Sequence, residues 1–302
     1  PLDLASRVFR DANSNTPLFT VLLHPLMLRT VNDPPRLTPW RFEVRKPRWM
    51  VRAGYAAIDH MFVDPVISGP VNRLRREFGL SPVRRVLNQW WLSPDCILAM
   101  FPDWYAPATV GFHSAMNHCG FPLDDLDGAD FEMPAGRPIV FTSGTAHRHC
   151  RQFFERSIEA CRRLNHGGLL LASFPENLPD RVPEAIRSLS YASLRRLLPH
   201  CRAIVHHGGI GTTGQGLAAG IPQVIRPLAF DQFDNANRVE QLGCGRWLRR
   251  ESDLEFTLAD LLGDPPAEQA ETLALAAARL HGVDGASLAA DRIEDYVHQH
   301  RG

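Results

Sequence analysis

Lysine is almost absent from this 302-residue chain: of its 33 basic side chains only Lys46 is a lysine, and the rest are arginine. A P-loop requires a lysine directly after its last glycine, and pyridoxal-phosphate chemistry requires a buried Schiff-base lysine. Lys46 sits in the Pro-broken stretch Val44-Arg45-Lys46-Pro47-Arg48 and suits neither role. An excess of one charge is also missing. The 33 acidic side chains balance the 33 basic ones, so no net field draws in nucleic acid or anionic lipid. No apolar run reaches the ~18 residues of a membrane span, and mean hydropathy is −0.18. No basic and then apolar segment marks a secretory signal at Pro1-Leu2-Asp3-Leu4, and no Met precedes it. The six cysteines, Cys96, Cys119, Cys150, Cys161, Cys201 and Cys244, show neither CxxC nor zinc spacing. They read as small core residues of a reduced compartment, which points to the cytoplasm. His147-Arg148-His149-Cys150 has no second ligand cluster near it in sequence and reads as a loop entering a helix, so no metal site is expected.

What is present is ordinary globular composition, 44% hydrophobic and 22% charged, in a length that suits two domains. Residues 4–12 are helix-like, and Leu18–Leu23 is a short run of strand formers. Prolines 34, 35, 39 and 47 make residues 32–48 a loop. Apolar residues then recur at helical spacing from Trp49, with a second helix expected from Val66 to Phe78. Cys96–Phe101 is a buried-strand candidate ending at Pro102. A polar stretch at 126–136 is the expected boundary between a first domain, 1–125, and a second, 137–285. Beyond it the rhythm alternates. Strands are expected at 138–142, 168–172, 203–206 and 223–225, and helices near 149–164, 194–198, 211–219 and 234–242, the last stopped by Gly243. Helices at 267–280 and 287–298 follow. Such alternation predicts an α/β class with a parallel sheet, whose strand ends are where ligands bind.

The chemistry concentrates in Ala203-Ile-Val-His206-His207-Gly208-Gly209-Ile-Gly211-Thr212-Thr213-Gly214-Gln215. A strand ends in two histidines, and glycines lead into a helix whose first turn holds two threonines. Free N–H groups at a helix start, the positive end of its dipole and glycines that allow close approach together make an anion site. An imidazole and two hydroxyls beside it can bond phosphate oxygens. A glycine-rich strand-to-helix turn can also be a mere tight connection, but four glycines with two histidines and two threonines exceed what a turn needs. Gly209-Ile-Gly211-Thr-Thr-Gly214 also fits the G-x-G-x-x-G fingerprint, so a nicotinamide- or flavin-dependent oxidoreductase is the second reading. It lacks an acidic residue at the end of the next strand, which runs into Pro227. Downstream, Asp231-Gln232 sets a carboxylate beside a carboxamide, a pair suited to vicinal hydroxyls of a sugar. Asp231 or Asp234 could instead cap the following helix; Asp234 capping while Asp231 and Gln232 face a ligand satisfies both.

His207-x-Gly209-x-Gly211-Thr212-Thr213, Gly220-Ile-Pro222, Pro227 with Asp231-Gln232, and Leu242-Gly243 together resemble the nucleotide-sugar signature of family 1 glycosyltransferases. The likeness is strongest to rhamnolipid rhamnosyltransferases and extends to sterol and macrolide glycosyltransferases. It reaches back through 71–79, Gln89-Trp90, Ser93-Pro94, Phe101-Pro-x-Trp104-x-Ala-Pro107 and 120–123. The resemblance implies the GT-B fold, two Rossmann-like domains with acceptor first and donor second. It implies that His207, Gly209, Gly211, Thr212 and Thr213 hold a diphosphate, and that Asp231 and Gln232 hold the sugar. Gln215 stands where the family has a Glu on the ribose. Tyr191 stands where relatives have a Trp on the base, and Ser143, Gly144 and Thr145 form a loop near the phosphates. His206 is the competing position for the phosphate histidine.

The same resemblance implies that residues 1–125 are the back half of an acceptor domain. Several more βα units are then expected ahead of Leu18–Leu23, unless the protein is naturally one and a half domains. The catalytic base is expected in that missing part; His24 and His113 are cleft candidates here, though lone histidines more often serve structure, and the helix at 286–302 is expected to cross back onto the first domain. The implied reaction is inverting, metal-independent transfer of a hexose from a UDP- or dTDP-sugar to a hydroxyl of a hydrophobic acceptor, in bacterial secondary metabolism and without a cofactor. The hydrophobic acceptor is inferred from aromatic loops at 34–49 and 101–122, which could equally be core. A non-catalytic nucleotide-sugar-binding protein is the third reading.

Overall fold

A computed structural model describes residues 3–38, 47–107, 116–125, 136–144, 150–263 and 267–300, the side chains at 88 and 89 excepted. Thr145, Lys46, His113, His147-Arg148-His149 and nearly all of the expected linker at 126–136 lie outside the described residues. Two compact units result. The first comprises Pro1–Pro35, Trp40–Gly120 and Ser287–Gly302, and the second Arg36–Pro39 and Phe121–Ala286. The division falls at 120/121, ahead of the polar stretch expected to carry it.

The first unit contains α1 (Leu4–Ala12), β1 (Phe19–Leu22), α2 (Arg48–Ile58), α3 (Asp64–Glu77), β2 (Cys96–Ala99) and β3 (Met116–His118). Asp3 caps α1 by accepting from Ser6 N at 3.1 Å, which satisfies one of the four unbonded donors of a helix start. The second helix begins two residues before the expected Val66, because a π-helical turn at Asp59–Val63 carries the helical path over from α2. The strands form a parallel sheet in the order β1-β2-β3. Between α1 and α3, Asp11 is held by Arg7, Arg75 and the Trp90 indole N–H, the last at 2.8 Å. Phe101, Tyr105 and Phe121 are buried, so these aromatics serve packing, and the hydrophobic-acceptor inference loses that part of its support.

The second unit contains β4 (Ile139–Thr142), α4 (Arg151–Leu164), β5 (Gly168–Leu171), β6 (Ile186–Leu189), α5 (Leu194–Leu197), β7 (Ala203–His206), α6 (Ile210–Ala218), β8 (Gln223–Ile225), α7 (Gln232–Gln241), β9 (Gly245–Trp247), α8 (Leu254–Leu262) and α9 (Ala267–Leu280). Its six strands are all parallel, in the order β6-β5-β4-β7-β8-β9. Side chains alternate between the two faces, as a strand period of two requires. Ile139 and Phe141, Leu170, and Ala203 and Val205 join Phe153 and Phe154 of α4 and Leu258 and Leu261 of α8. Val140, Leu169, Leu171 and Ile204 pack on the other face with Leu197, Leu198 and Ile221. Buried on both faces, the central strands read as unbroken apolar runs. The last helix, α10 (Gly285–Gln299), lies mostly in the first unit, where Ala289, Ile293 and Tyr296 pack on Phe19, Cys96, Leu98 and Cys119.

Candidate functional site

In the second unit the connections after β4 and β7, neighbours in the sheet, lead towards opposite edges. A doubly wound sheet opens a crevice at such a point, outside the carboxyl ends of its strands. A cavity of about 460 Å³ lies there. Thr142 and Gly144 after β4, Leu171 and Ser173 after β5, and Ser190, Tyr191, Ala192 and Leu194 after β6 form one side. His207, Gly209, Ile210, Gly211 and Thr212 at the start of α6, and Ala229, Phe230 and Gln232 before and on α7, form the other.

The half-buried His207 has its position because two neighbours lack side chains. A Cβ on Gly144 would come within 2.6 Å of the imidazole Cε1, and one on Gly209 within 2.6 Å of its Nε2. Gly144 also has φ +81°, which an L side chain adopts only at a cost. Gly209 is the N-cap residue of α6 and contributes no side chain to the cap, so the first N–H groups of that helix face the cavity end without an intrahelical acceptor. A Cβ at Gly211 would meet nothing within 4 Å, leaving open space at the same helix start.

His206 does not reach the cavity. Its Nδ1 accepts from Gly208 N at 3.1 Å, so the ring proton is on Nε2, which donates to Gln223 Oε1 at 2.9 Å. Gln223 Nε2 in turn donates to Thr213 O at 3.2 Å, tying β7 and β8 to α6. Complete burial pushes the His206 imidazole down to about 3, the neighbouring His207 adds to this, and the bond to Gln223 opposes it. Of the two histidines, only His207 faces the cavity.

Other expected residues divide in the same way. Thr212 lines the cavity, whereas Thr213 is buried and donates its hydroxyl to Gly209 O at 3.0 Å within its own helix. Gln215 is buried and donates to Leu123 O at 2.8 Å, and Ser143 is buried as well. Tyr191 lines the cavity and donates its hydroxyl to Asp125 Oδ1 at 2.8 Å. Gln232 lines it too, with Oε1 accepting from Leu228 N and Ala229 N at 2.8 and 3.1 Å. Asp231 is half-buried beside the cavity and accepts from Asn235 Nδ2 at 2.9 Å. Asp234 does not cap α7: the N-cap residue is Asp231, without a side-chain cap bond. Buried in the first turn, Asp234 pairs with Arg238 one turn on at 2.8 Å and accepts from Arg36 N, so its charge is satisfied inside the unit.

Sequence reasoning missed Ser173, Ser190, Phe230 and Asp125. Ser190 follows β6, a strand that carries Arg187 and Ser188 and no apolar run, so nothing local announced it. Among the described residues no group of three or more His, Cys, Asp or Glu side chains is placed to hold a metal ion. Nor, among them, is any helix long and apolar enough to cross a membrane.

The family model of the erythromycin biosynthesis protein CIII-like C-terminal domain matches residues 171–282, a stretch containing most of this cavity. A sterol 3-beta-glucosyltransferase of Leptosphaeria maculans is 43% identical over 250 residues, 74% of this chain and 17% of the relative. The aclacinomycin-T 2-deoxy-L-fucose transferase of Streptomyces galilaeus is 31% identical over 144 residues, 44% of this chain and 33% of the relative. The chain thus spans a third or less of either relative's length. Among solved structures, the kitacinnamycin glycotransferase aligns over 97% of this chain and 73% of its own with TM-score 0.73 at 20% identity. The glycosyltransferase VinC, solved with dTDP, aligns over 99% and 70% with TM-score 0.67 at 16% identity.

Proposed function

The make-up of this chain, an EryCIII-like C-terminal domain on a GT-B frame, is that of a family 1 glycosyltransferase, and on that ground we propose that its second unit grips the diphosphate of a UDP- or dTDP-hexose. The observation that carries this reading is one cavity at the sheet's switch point gathering His207, the open start of α6, Tyr191 and Gln232. The helix start and the imidazole supply donors to the diphosphate, Tyr191 offers a face to the base, and Gln232 with the adjacent Asp231 meets the hexose hydroxyls. In the reaction an acceptor hydroxyl oxygen forms a bond to the anomeric carbon as the bond from that carbon to the diphosphate oxygen breaks, inverting the centre. The hydroxyl proton goes to a general base, and the electron pair leaves with the diphosphate. The part of these residues is to stabilise the charge that grows on that leaving group, with donors already oriented before the reaction. The sugar nucleotide is a co-substrate, so the reading needs no cofactor and no metal, and its acceptor is a hydrophobic hydroxyl compound. A reduced, cytoplasmic setting suits the six free thiols.

Calorimetry and thermal unfolding with UDP, dTDP and NAD(P) test this. Ligand at a hundred times Kd stabilises by about 2.7 kcal/mol; UDP or dTDP should do so and NAD(P) should not. His207→Ala and Thr212→Ala should each weaken nucleoside diphosphate binding by about tenfold or more, the range for one hydrogen bond to a charged group. Unchanged affinity in both variants, or stabilisation by NAD(P) alone, refutes the reading.

A further inference from the structure

We propose that Phe230 is a specificity-determining residue for the donor, its ring meeting the apolar side of a 6-deoxyhexose; this rests on the donor reading above. Two features at this position work against stability. The backbone is left-handed, φ +54°, a region that bulky L side chains rarely adopt. The side chain is also 81% exposed, the highest value among the described exposed large apolar residues. The other described non-glycine residues of positive φ are Arg29, Arg85, Arg137 and Asn165, all polar. Strain of this kind persists only where its surroundings impose it, and it gathers at ligand sites.

The surroundings here do impose it. Gln232 Oε1 holds the N–H groups of Leu228 and Ala229, and Gln232 N donates to Ala229 O at 3.2 Å. On the far side, Asn235 Nδ2 ties Asp231 Oδ2 to Gly208 O at 2.9 and 2.8 Å. The turn is thus pinned at both ends and at the glycines of the anion site, and the residue between them lines the cavity. Where the β8–α7 turn meets that cavity it offers Ala229 and Phe230, with Gln232 as its one polar side chain. A flat apolar ring beside a single carboxamide suits a sugar with hydroxyls on one side and C–H groups on the other. A methyl in place of a hydroxymethyl group extends that apolar side and avoids burying a hydroxyl without a partner.

The test compares dTDP, dTDP-glucose and dTDP-6-deoxyglucose by calorimetry on the wild-type chain and on Phe230→Gly and Phe230→Asn. Both replacements accept a left-handed backbone, so each should unfold at or above the wild-type temperature. The wild type should bind the 6-deoxy sugar nucleotide about tenfold tighter than its hydroxylated counterpart, the scale on which an apolar pocket resolves one such group. In both variants the two sugar nucleotides should bind alike, while dTDP affinity stays within twofold. Equal binding of the two by the wild type, or a preference that survives in the variants, overturns the role of Phe230. Failure of all three ligands to bind any form overturns the donor reading instead.

Discussion

A single buried imidazole links the glycine-rich β7–α6 turn to solution pH. Among the described residues His206 forms no ion pair. It faces His207 on its own segment, with ring centroids 6.3 Å apart, Gln223 on β8, and through Gln223 the Thr213 carbonyl on α6. Its folded-state value of about 3 lies far below the ordinary value of 6.5, so between these limits the unfolded chain binds the proton and the folded chain does not. Stability contributed in this way is fully present above pH 6.5 and falls as the solution is acidified towards 3. One such group gives a slope of up to about 1.4 kcal/mol per pH unit. Urea unfolding of the wild type and His206→Gln from pH 7 to 4.5 should therefore show a steeper acid loss in the wild type by about that amount. Parallel slopes would mean that the ring is not held neutral. The comparison is of slopes, because the variant also loses the acceptor for Gly208 N.

At the scale of elements, α6 trades helix stability for access. Gly211 lies in its first turn, and a Cβ there would touch nothing, so packing does not demand the glycine. Gly211→Ala should leave the unliganded protein as stable or stabilise it by up to about 1 kcal/mol, the helix-propensity gain. On the proposed donor reading the added methyl would stand where phosphate oxygens approach the helix N–H groups, so nucleoside diphosphate affinity should drop about tenfold or more. Thermal unfolding without ligand and calorimetry with dTDP separate the two effects; wild-type affinity in the variant would place the phosphates elsewhere. The same element shows what was legible beforehand. Strand, histidines, glycines and helix are contiguous from Ala203 to Ala218, so the turn could be read from one segment, as could β4, β5 and β8 from their buried apolar runs. The strands β3, β6 and β9 escaped notice because they lack an apolar run: Met116-Asn-His118 is only half-buried, Ile186-Arg-Ser-Leu189 is exposed at its middle, and Gly245-Arg-Trp247 has a charge at its centre. Ser173 and Ser190 reach the site only because the sheet order sets the ends of β5 and β6 beside that of β4, and Asp125 only through its bond to Tyr191, long-range facts with no local signature. Spacing favoured His207 and left His206 in competition; that His206 is turned to Gln223 while His207 lines the cavity became visible only with β7 paired to β8.

For the molecule as a whole, the cysteines divide unevenly between the two units and so can report on each. All six are free and buried. Cys96 and Cys119 belong to the first unit, and Cys150, Cys161, Cys201 and Cys244 to the second. Burial pushes the Cys161 and Cys201 thiols up to about 12 and that of Cys244 to about 11, and raises Cys96 and Cys119 as well. The thiolate is the reactive form, so the native chain should resist a water-soluble thiol reagent at neutral pH. Reactivity should appear with unfolding of the unit that holds each thiol. Brief labelling across a urea series, read by mass, should then show one transition carrying two thiols and another carrying four. A nucleoside diphosphate that binds the cavity of the second unit stabilises only the folded form of that unit, by about 2.7 kcal/mol at a hundred times Kd. At a typical urea slope of ~2 kcal/mol per molar, the four-thiol transition should move up by more than about 1 M while the two-thiol transition stays within error. Movement of all six together under ligand would show that the units unfold as one, and movement of neither would remove the nucleotide from the second unit's cavity.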